Sequence, residues 1–399
     1  MILNGPTRVF IHRHLGADVR HLALQGCKDP EVDFSLALEQ ITGWQKARNK
    51  IPSWAAIDGI VYPAPLSMEQ CSSEITARYK AKIAGCGNLF VDLTAGFGVD
   101  AAFISKGFKQ VVTVEQQQRL CMISSENFKC LGLNHINVIC GDGVEYLHTL
   151  DHADLLLIDP ARRDAHGART YGIADCTPNV LEMRDELLIK AERTIIKLSP
   201  MLDWRKAVDD MGHVSVVHIV SVDNECKELL LEMRGDRQEV ENDTLRIVCV
   251  NLLSNGDEKR FEFDASSAFS THTFHTNLNP RYLYEPNASV MKAGCFDLVT
   301  ERFRLWQLEK NSHLFVSDQE VRGFPGRGFF SERICSMNKR ELKEALSGIE
   351  KANITVRNFP LSVAELRKRL KLKDGGEHYL FATSVANLGH RLFVCRKIS

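Results

Sequence analysis

The sequence has no excess of charge of either sign: 50 Lys+Arg stand against 51 Asp+Glu, a formal net charge of −1. It also lacks internal repeats and low-complexity tracts, and 44% of its residues are hydrophobic and 25% charged, which excludes a disordered chain, a collagen-like repeat and a polycationic tail protein. No apolar run approaches the roughly 18 residues that cross a bilayer. The apolar stretches, such as Leu155 to Ile158, are strand-length, so no membrane partner is expected. The opening MILNGPTRVFIHRHLG lacks the unbroken apolar core of a signal peptide because Arg8, His12 and Arg13 interrupt it, and the expected location is cytoplasmic. C-x-x-C pairs are missing too. The twelve cysteines are scattered, the nearest pair being Cys121 and Cys130, which points to reduced thiols rather than a disulfide framework or a zinc site. His12, His14 and His21 cluster without a carboxylate or Cys at ligand spacing, so no metal is expected.

What is present is a change of pattern along 399 residues, enough for two or three domains. Asp29 as N-cap, Pro30 at the first helical position and the stripe Val32, Leu36, Ile41 predict a helix ending before Pro52, within a helical N-terminal region over 1–66. Ser67-Met68-Glu69-Gln70 reads as a capping box opening a helix whose Ile75, Tyr79 and Ile83 recur every four residues. From Leu89 the runs LFVDL, VVTVE, INVICGD, ADLLLIDP and TIIKLS alternate with helix-length segments, which implies a mainly parallel sheet covered on both faces. VSVVHIVSV and KELLLEM are separated by too few residues for anything but a hairpin, so one antiparallel strand is expected at the sheet's end, closing a domain over 67–235. Residues 236–321, with LRIVCVNLL and RFEFDA, read as an α+β connector, and 322–399 as a compact α/β module.

Chemistry concentrates at the strand ends. The first strand runs into Asp92-Leu93-Thr94-Ala95-Gly96-Phe97-Gly98, a D-x-x-x-G-x-G turn whose glycines let a ligand approach the backbone. The second strand ends in Glu115, placed to accept from a ribose diol, the third in Gly141-Asp142-Gly143, and the fourth in Asp159-Pro160-Ala161-Arg162. Any one acid can be a helix cap. Four at successive strand ends are poorly explained that way.

These strand ends resemble the class I S-adenosylmethionine-dependent methyltransferases. The resemblance implies a Rossmann-like seven-stranded α/β sheet with S-adenosyl-L-methionine held by Asp92, Thr94, Gly96, Gly98, Glu115 and Asp142, and a methyl-transfer centre at Asp159 and Pro160. SMEQCSSEITARYKAKIAG, DLTAGFGVD, IDPARRD, IIKLSPMLD, NECKELLLEM and RNFPLSVAELRKRLKLKDGGEHYLFAT are similar to a bacterial group of such enzymes whose C-terminal modules are ferredoxin-like and THUMP-like. THUMP-like domains deliver RNA to a catalytic domain, so the resemblance implies an RNA substrate, tRNA or rRNA.

The acceptor atom stays open between two chemistries. Many enzymes that methylate base amino groups carry Asp/Asn-Pro-Pro-aromatic; here Asp159-Pro160-Ala161-Arg162 lacks the second proline and the ring, unless Tyr171 or another aromatic supplies the stack. Ribose 2′-O enzymes use a Lys-Asp-Lys-Glu quartet in which a lysine of depressed pKa removes the hydroxyl proton, and Lys80, Asp159, Lys197 and Glu228 match it in order. A cysteine-nucleophile mechanism finds no thiol in IDPAR or KLSPM. Arg162, Arg163 and Arg169, in the loop after the fourth strand, are candidates for phosphate contacts, as are Arg367, Lys368, Arg369 and Lys371. Residues 322–399 hold 16 Lys+Arg and 7 Asp+Glu, hence 16 − 7 = +9, which leaves −10 for the rest of the chain. A non-catalytic RNA-binding protein on this fold, or a methyltransferase of small molecules or proteins, are the alternatives.

Overall fold

A computed structural model of the chain describes residues 3–161, 172–235, 244–266 and 280–398. They form two compact units, Met1–His218 with Lys227–Leu245, and Ile219–Cys226 with Arg246–Ser399.

The first unit opens with helices Gly5–His14, Val19–Gln25 and Phe34–Lys50, capped by Asn4, Asp18 and Asp33. The last begins four residues beyond the expected Pro30. Asp29 instead accepts from the Glu31 N–H in a turn, while Asp33 accepts from Leu36 N at 3.0 Å and takes the capping role. The helix expected from Ser67 is likewise two pieces. Pro65–Gln70 stops where Cys71 turns extended, and Ser73 then caps Glu74–Ala84, which carries Ile75, Tyr79 and Ile83.

The strands are β1 (Gly87–Asp92), β2 (Phe108–Glu115), β3 (Ile136–Cys140), β4 (Ala153–Ile158), β5 (Ala191–Leu198), β6 (Val214–Val222) and β7 (Glu225–Arg234). Their order is β3-β2-β1-β4-β5-β7-β6, with β1 to β5 parallel, as the α/β class requires. Phe90, Val91, Leu155 to Ile158, Ile195 and Ile196 are at most 1% exposed, the near-continuous apolar runs of strands covered on both faces. The antiparallel strand does not end the sheet. After a tight turn with Asp223 and Asn224 at φ of 46° and 68°, β7 comes back between β5 and β6 and pairs with β5, Lys197 opposite Leu230. Since β1 is flanked by β2 on one side and β4 on the other, the connections diverge there, and a crevice opens above the carboxyl ends of β1 and β4.

In the second unit β8 (Arg246–Leu252) and β9 (Glu258–Asp264) pair antiparallel, and Ser221 donates to the Val250 carbonyl at 3.1 Å. A separate sheet runs β11-β12-β10-β13-β16-β15-β14, built of β10 (Tyr282–Pro286), β11 (Trp306–Gln307), β12 (Phe315–Ser317), β13 (Gly326–Ser336), β14 (Asn353–Arg357), β15 (His378–Val385) and β16 (Gly389–Lys397). Because β13 pairs with both β10 and β16, this sheet is continuous across 321/322. Helices Lys339–Ala345 and Val363–Leu370 pack Leu342 and Leu366 on one face with Leu380 and Val394, while Leu283, Phe329, Phe381 and Cys395 form a core on the other. All twelve cysteines are free thiols. Among the described residues no helix is long and apolar enough to cross a membrane, and no three His, Cys, Asp or Glu side chains are grouped to hold a metal.

Candidate active site

A cavity of about 860 Å³ occupies the crevice. Its two turn glycines do different work. A Cβ on Gly96, at φ +55°, would meet nothing within 4 Å, so its backbone faces open space; a Cβ on Gly98, at φ +81°, would stand 2.6 Å from the Phe128 ring, so that glycine lets the turn pack on its neighbour. Glu115 braces the turn: one carboxylate oxygen accepts from Gly96 N at 2.9 Å and the other from Gln117 N at 2.8 Å. Each oxygen keeps a second lone pair. Asp142 caps helix Gly143–Thr149, accepting from Val144 N at 2.7 Å, and its other oxygen accepts from Gln116. The bland capping role and a place on the cavity wall thus coexist in one residue.

Asp92 is 3% exposed and accepts from Thr94 N at 3.1 Å. Burial pushes its carboxyl up to about 8; the Thr94 bond opposes this, and the neighbouring Asp100 and Asp159 charges add to it. The Thr94 hydroxyl oxygen accepts from Asp159 N at 2.6 Å, tying the glycine turn to the end of β4. All six residues expected at the cofactor line the cavity, together with Asp159, Pro160 and Lys197.

Behind this wall lies a buried charge cluster. Helix Glu74–Ala84 turns Thr76, Ala77, Tyr79, Lys80 and Ala84 inward, so Lys80 falls in the apolar stripe and is 0% exposed. A charge there needs partners. Its Nζ meets Glu228 Oε2 at 2.6 Å and Asp100 Oδ1 at 3.2 Å, and it donates to Ser72 Oγ at 3.0 Å, which in turn donates to Asp100 Oδ2 at 2.7 Å. Lys197, on β5, pairs with Asp159. Burial would lower the Lys197 ammonium, but Asp159, Asp100 and Glu228 outweigh it and hold it above its ordinary range. Burial raises Asp159, and the Lys197 pairing only partly offsets that. Asp100 stays below the usual carboxylate range: burial opposes this, but Lys80 and Lys197 prevail.

Lys80, Asp159, Lys197 and Glu228 therefore meet, but Lys80 and Glu228 stand behind the cavity rather than on its wall. The quartet's need for a lysine of depressed pKa is not met by Lys197, because three carboxylates surround it. Asp100 and Ser72 complete the cluster and carried no assignment from sequence, although Asp100 closes the quoted DLTAGFGVD; the lysine that makes it significant is 20 positions away. Cys71, equally unassigned, lines the cavity, but burial pushes its thiol up despite Lys50, and it donates to the Met68 carbonyl at 3.4 Å. A protonated thiol is a poor nucleophile. Phe97 is the one aromatic ring among the described lining residues, and it is buried edge-on against Trp54.

Arg162, Arg163, Arg169 and Tyr171 lie outside the described residues. In the C-terminal run, Arg367 is spent internally, on Asp374 at 2.6 Å and the Ala352 carbonyl at 3.0 Å. Lys368, Arg369 and Lys371 are exposed at the end of helix Val363–Leu370.

Residues 326–397 match the family model described as THUMP domain-like, and residues 282–325 match one described as a ferredoxin-like domain. No curated protein matches the chain. Among solved structures, the chain is similar to a "putative methyltransferase" from Porphyromonas gingivalis W83, at 32% identity and a TM-score of 0.89 over 100% of both chains. An rRNA methylase from Streptococcus thermophilus aligns over 40% of this chain and 94% of its own, at 16% identity and a TM-score of 0.31. TrmK from M. capricolum, solved with S-adenosyl-homocysteine, aligns over 42% of this chain and 71% of its own, at 15% identity and a TM-score of 0.32.

Proposed function

Because the chain belongs to the class I S-adenosylmethionine-dependent methyltransferases that carry a C-terminal THUMP-like domain, we propose that it methylates a base nitrogen of cytoplasmic RNA, tRNA or rRNA. The observation that carries this reading is the Asp159–Lys197 pair on the cavity wall. The cavity residues fit the cofactor: Gly96 offers bare backbone where a ligand can lie close, and Glu115 has acceptor capacity left for a ribose diol. S-adenosyl-L-methionine, when bound, supplies an electrophilic methyl group. The protein's part is to orient the acceptor and handle its proton. Asp159, its backbone pinned by Thr94 and its carboxylate by Lys197, accepts a hydrogen bond from the acceptor N–H. As nitrogen takes the methyl group it releases a proton, and a carboxylate raised by burial is a better base for it than an ordinary one.

RNA as the substrate class is supported by the THUMP domain-like match and by the +9 of residues 322–399. Clustering of Lys80, Asp159, Lys197 and Glu228 favours the second reading, ribose 2′-O transfer. Against it, Lys197 is held as an ammonium and Lys80 is sealed from the cavity, so neither is placed to remove a hydroxyl proton. Mass spectrometry of nucleosides from a deletion strain decides between them. A methylated nucleoside should disappear with its methyl on the base; loss of a ribose-methylated one would overturn the base reading, and no loss would remove RNA as the substrate. For the purified enzyme, Asp159→Ala should reduce transfer by about 10²- to 10⁴-fold while calorimetry still shows cofactor binding. Near-normal turnover would discard Asp159.

A further inference from the structure

The helix-bearing face of the second unit's seven-stranded sheet is left open at one end. A row of directly paired residues crosses four strands there: Tyr282 on β10 opposes Phe330 on β13, Phe330 opposes Arg396 on β16, and Arg396 opposes His378 on β15. Opposed residues in antiparallel strands project from the same face, so two rings, a guanidinium and an imidazole stand side by side. Val394 and Leu380, two positions along from Arg396 and His378, lie in the core beneath the helices, which identifies the face. Beyond the helices it is exposed: Phe330 is 40% accessible and the Arg396 side chain 52%.

The row is organised. Tyr282 meets Phe330 edge-on, with centroids 5.7 Å apart, and the Arg281 guanidinium lies 5.9 Å over the Tyr282 ring. A bulge between Ser331 and Arg333 inserts Glu332, whose carboxylate reaches Arg396 at 2.7 Å and His378 at 3.5 Å. Arg333 is anchored on the Ala345 carbonyl at the end of helix Lys339–Ala345, at 2.9 Å. Between the row and the loop at 347–349 is a cleft of about 500 Å³, lined by Phe330, Glu332, Arg333, His378 and Arg396. Scattered exposed apolar residues need no account. An exposed ring beside a cleft, with an acceptor and cations along its rim, has the components of base recognition.

We infer that this row and cleft form a single-stranded RNA subsite, in which a base stacks on Phe330, its amino edge donates to Glu332, and the adjoining phosphate meets Arg333, whose contacts with the Glu344 and Ala345 carbonyls both use Nη1. The occupant follows from charge and lining together, since residues 322–399 carry 16 cations against 7 acids and the cleft is walled by an exposed ring, a carboxylate and two guanidinium groups. The inference rests on RNA being the substrate, and it moves the point of base contact away from the 367–371 run. Fluorescence anisotropy of the full-length protein with a labelled single-stranded oligoribonucleotide tests it. Phe330→Ala should weaken binding about five- to a hundredfold, the loss expected for one stacked base. Phe330→Trp should keep the affinity and show fluorescence quenching on binding that the wild type lacks. If the wild type binds RNA while Phe330→Ala binds as tightly and Phe330→Trp is not quenched, the subsite is wrong and the RNA reading survives. If the wild type binds no RNA, both fall.

Discussion

Lys80 and Lys197 in the first unit, and Lys368, Arg369 and Lys371 in the second, are the same kind of group in opposite settings. The first pair is buried and answered by Asp100, Asp159 and Glu228 at contact distance. The second set stands in solvent at a helix end, within a segment whose charges sum to +9. Burial makes a charge a local instrument: it fixes neighbours, shifts their proton affinity and barely feels salt. Exposure makes it part of a field, additive over many residues and screened within about 10 Å at ordinary ionic strength. The comparison assigns different work to the two units, and it can be broken in three places.

The largest effect is expected at Lys80. Lys80→Met leaves Asp100 and Glu228 as buried carboxylates without their ammonium, and should cost about 3–5 kcal/mol of stability in denaturant unfolding. A loss below about 1 kcal/mol would mean that water reaches the cluster. Asp92 comes next. Its proton affinity is raised in the folded state, so the stability it contributes is whole below about pH 4, where the unfolded carboxyl is also protonated, and is lost as pH rises through about 8. Asp92→Asn does not titrate. Its unfolding free energy, read from denaturant melts, should therefore gain on the wild type between pH 5 and 8, at a slope of at most about 1.4 kcal/mol per pH unit. A constant difference would show that Asp92 is ionised throughout. The smallest effect on stability, and one visible only against salt, is expected in the second unit. Replacing Lys368, Arg369 and Lys371 by Ala should leave stability within about 0.5 kcal/mol each. The same replacement should flatten the dependence of log affinity for single-stranded RNA on log salt by about 2, or roughly 0.7 per phosphate contact. Arg367→Ala should do the reverse, loosening helix Val363–Leu370 while leaving the slope nearly unchanged, because Asp374 already neutralises it. A slope unmoved by the triple replacement would take these residues out of RNA contact.

Part of the cavity wall is legible in the sequence. Asp92, Glu115, Asp142 and Asp159 could be placed because each ends a strand of a parallel sheet, and parallel strands joined by crossovers bring all their carboxyl ends to one edge. The helix starts were less legible. Asp29 and Ser67 both have the chemistry of a cap, but Asp33 and Ser73, a few residues on, have it as well and stand where the apolar stripe begins. The insertion of β7 between β5 and β6 had no local mark, since a tight hairpin is compatible with either side of β6. Arg367 looked like its neighbours in the basic run, and only its contacts with Asp374 and Ala352 set it apart.

By itself the sequence determined the alternation of strands and helices, the glycine turn, the acids at the strand ends and the division of charge at Arg322. These are local patterns, with periods of two or 3.6 residues, or sums over a segment, and they survive without knowledge of what touches what. Tertiary structure decided which lysine is sealed away and which lines a cavity, that Asp100 completes the cluster, and that Tyr282, Phe330, Arg396 and His378 form one row. The proton affinity of a group and the company of an exposed ring depend on partners brought in from tens to more than a hundred positions away, and that proximity exists only once the chain has folded.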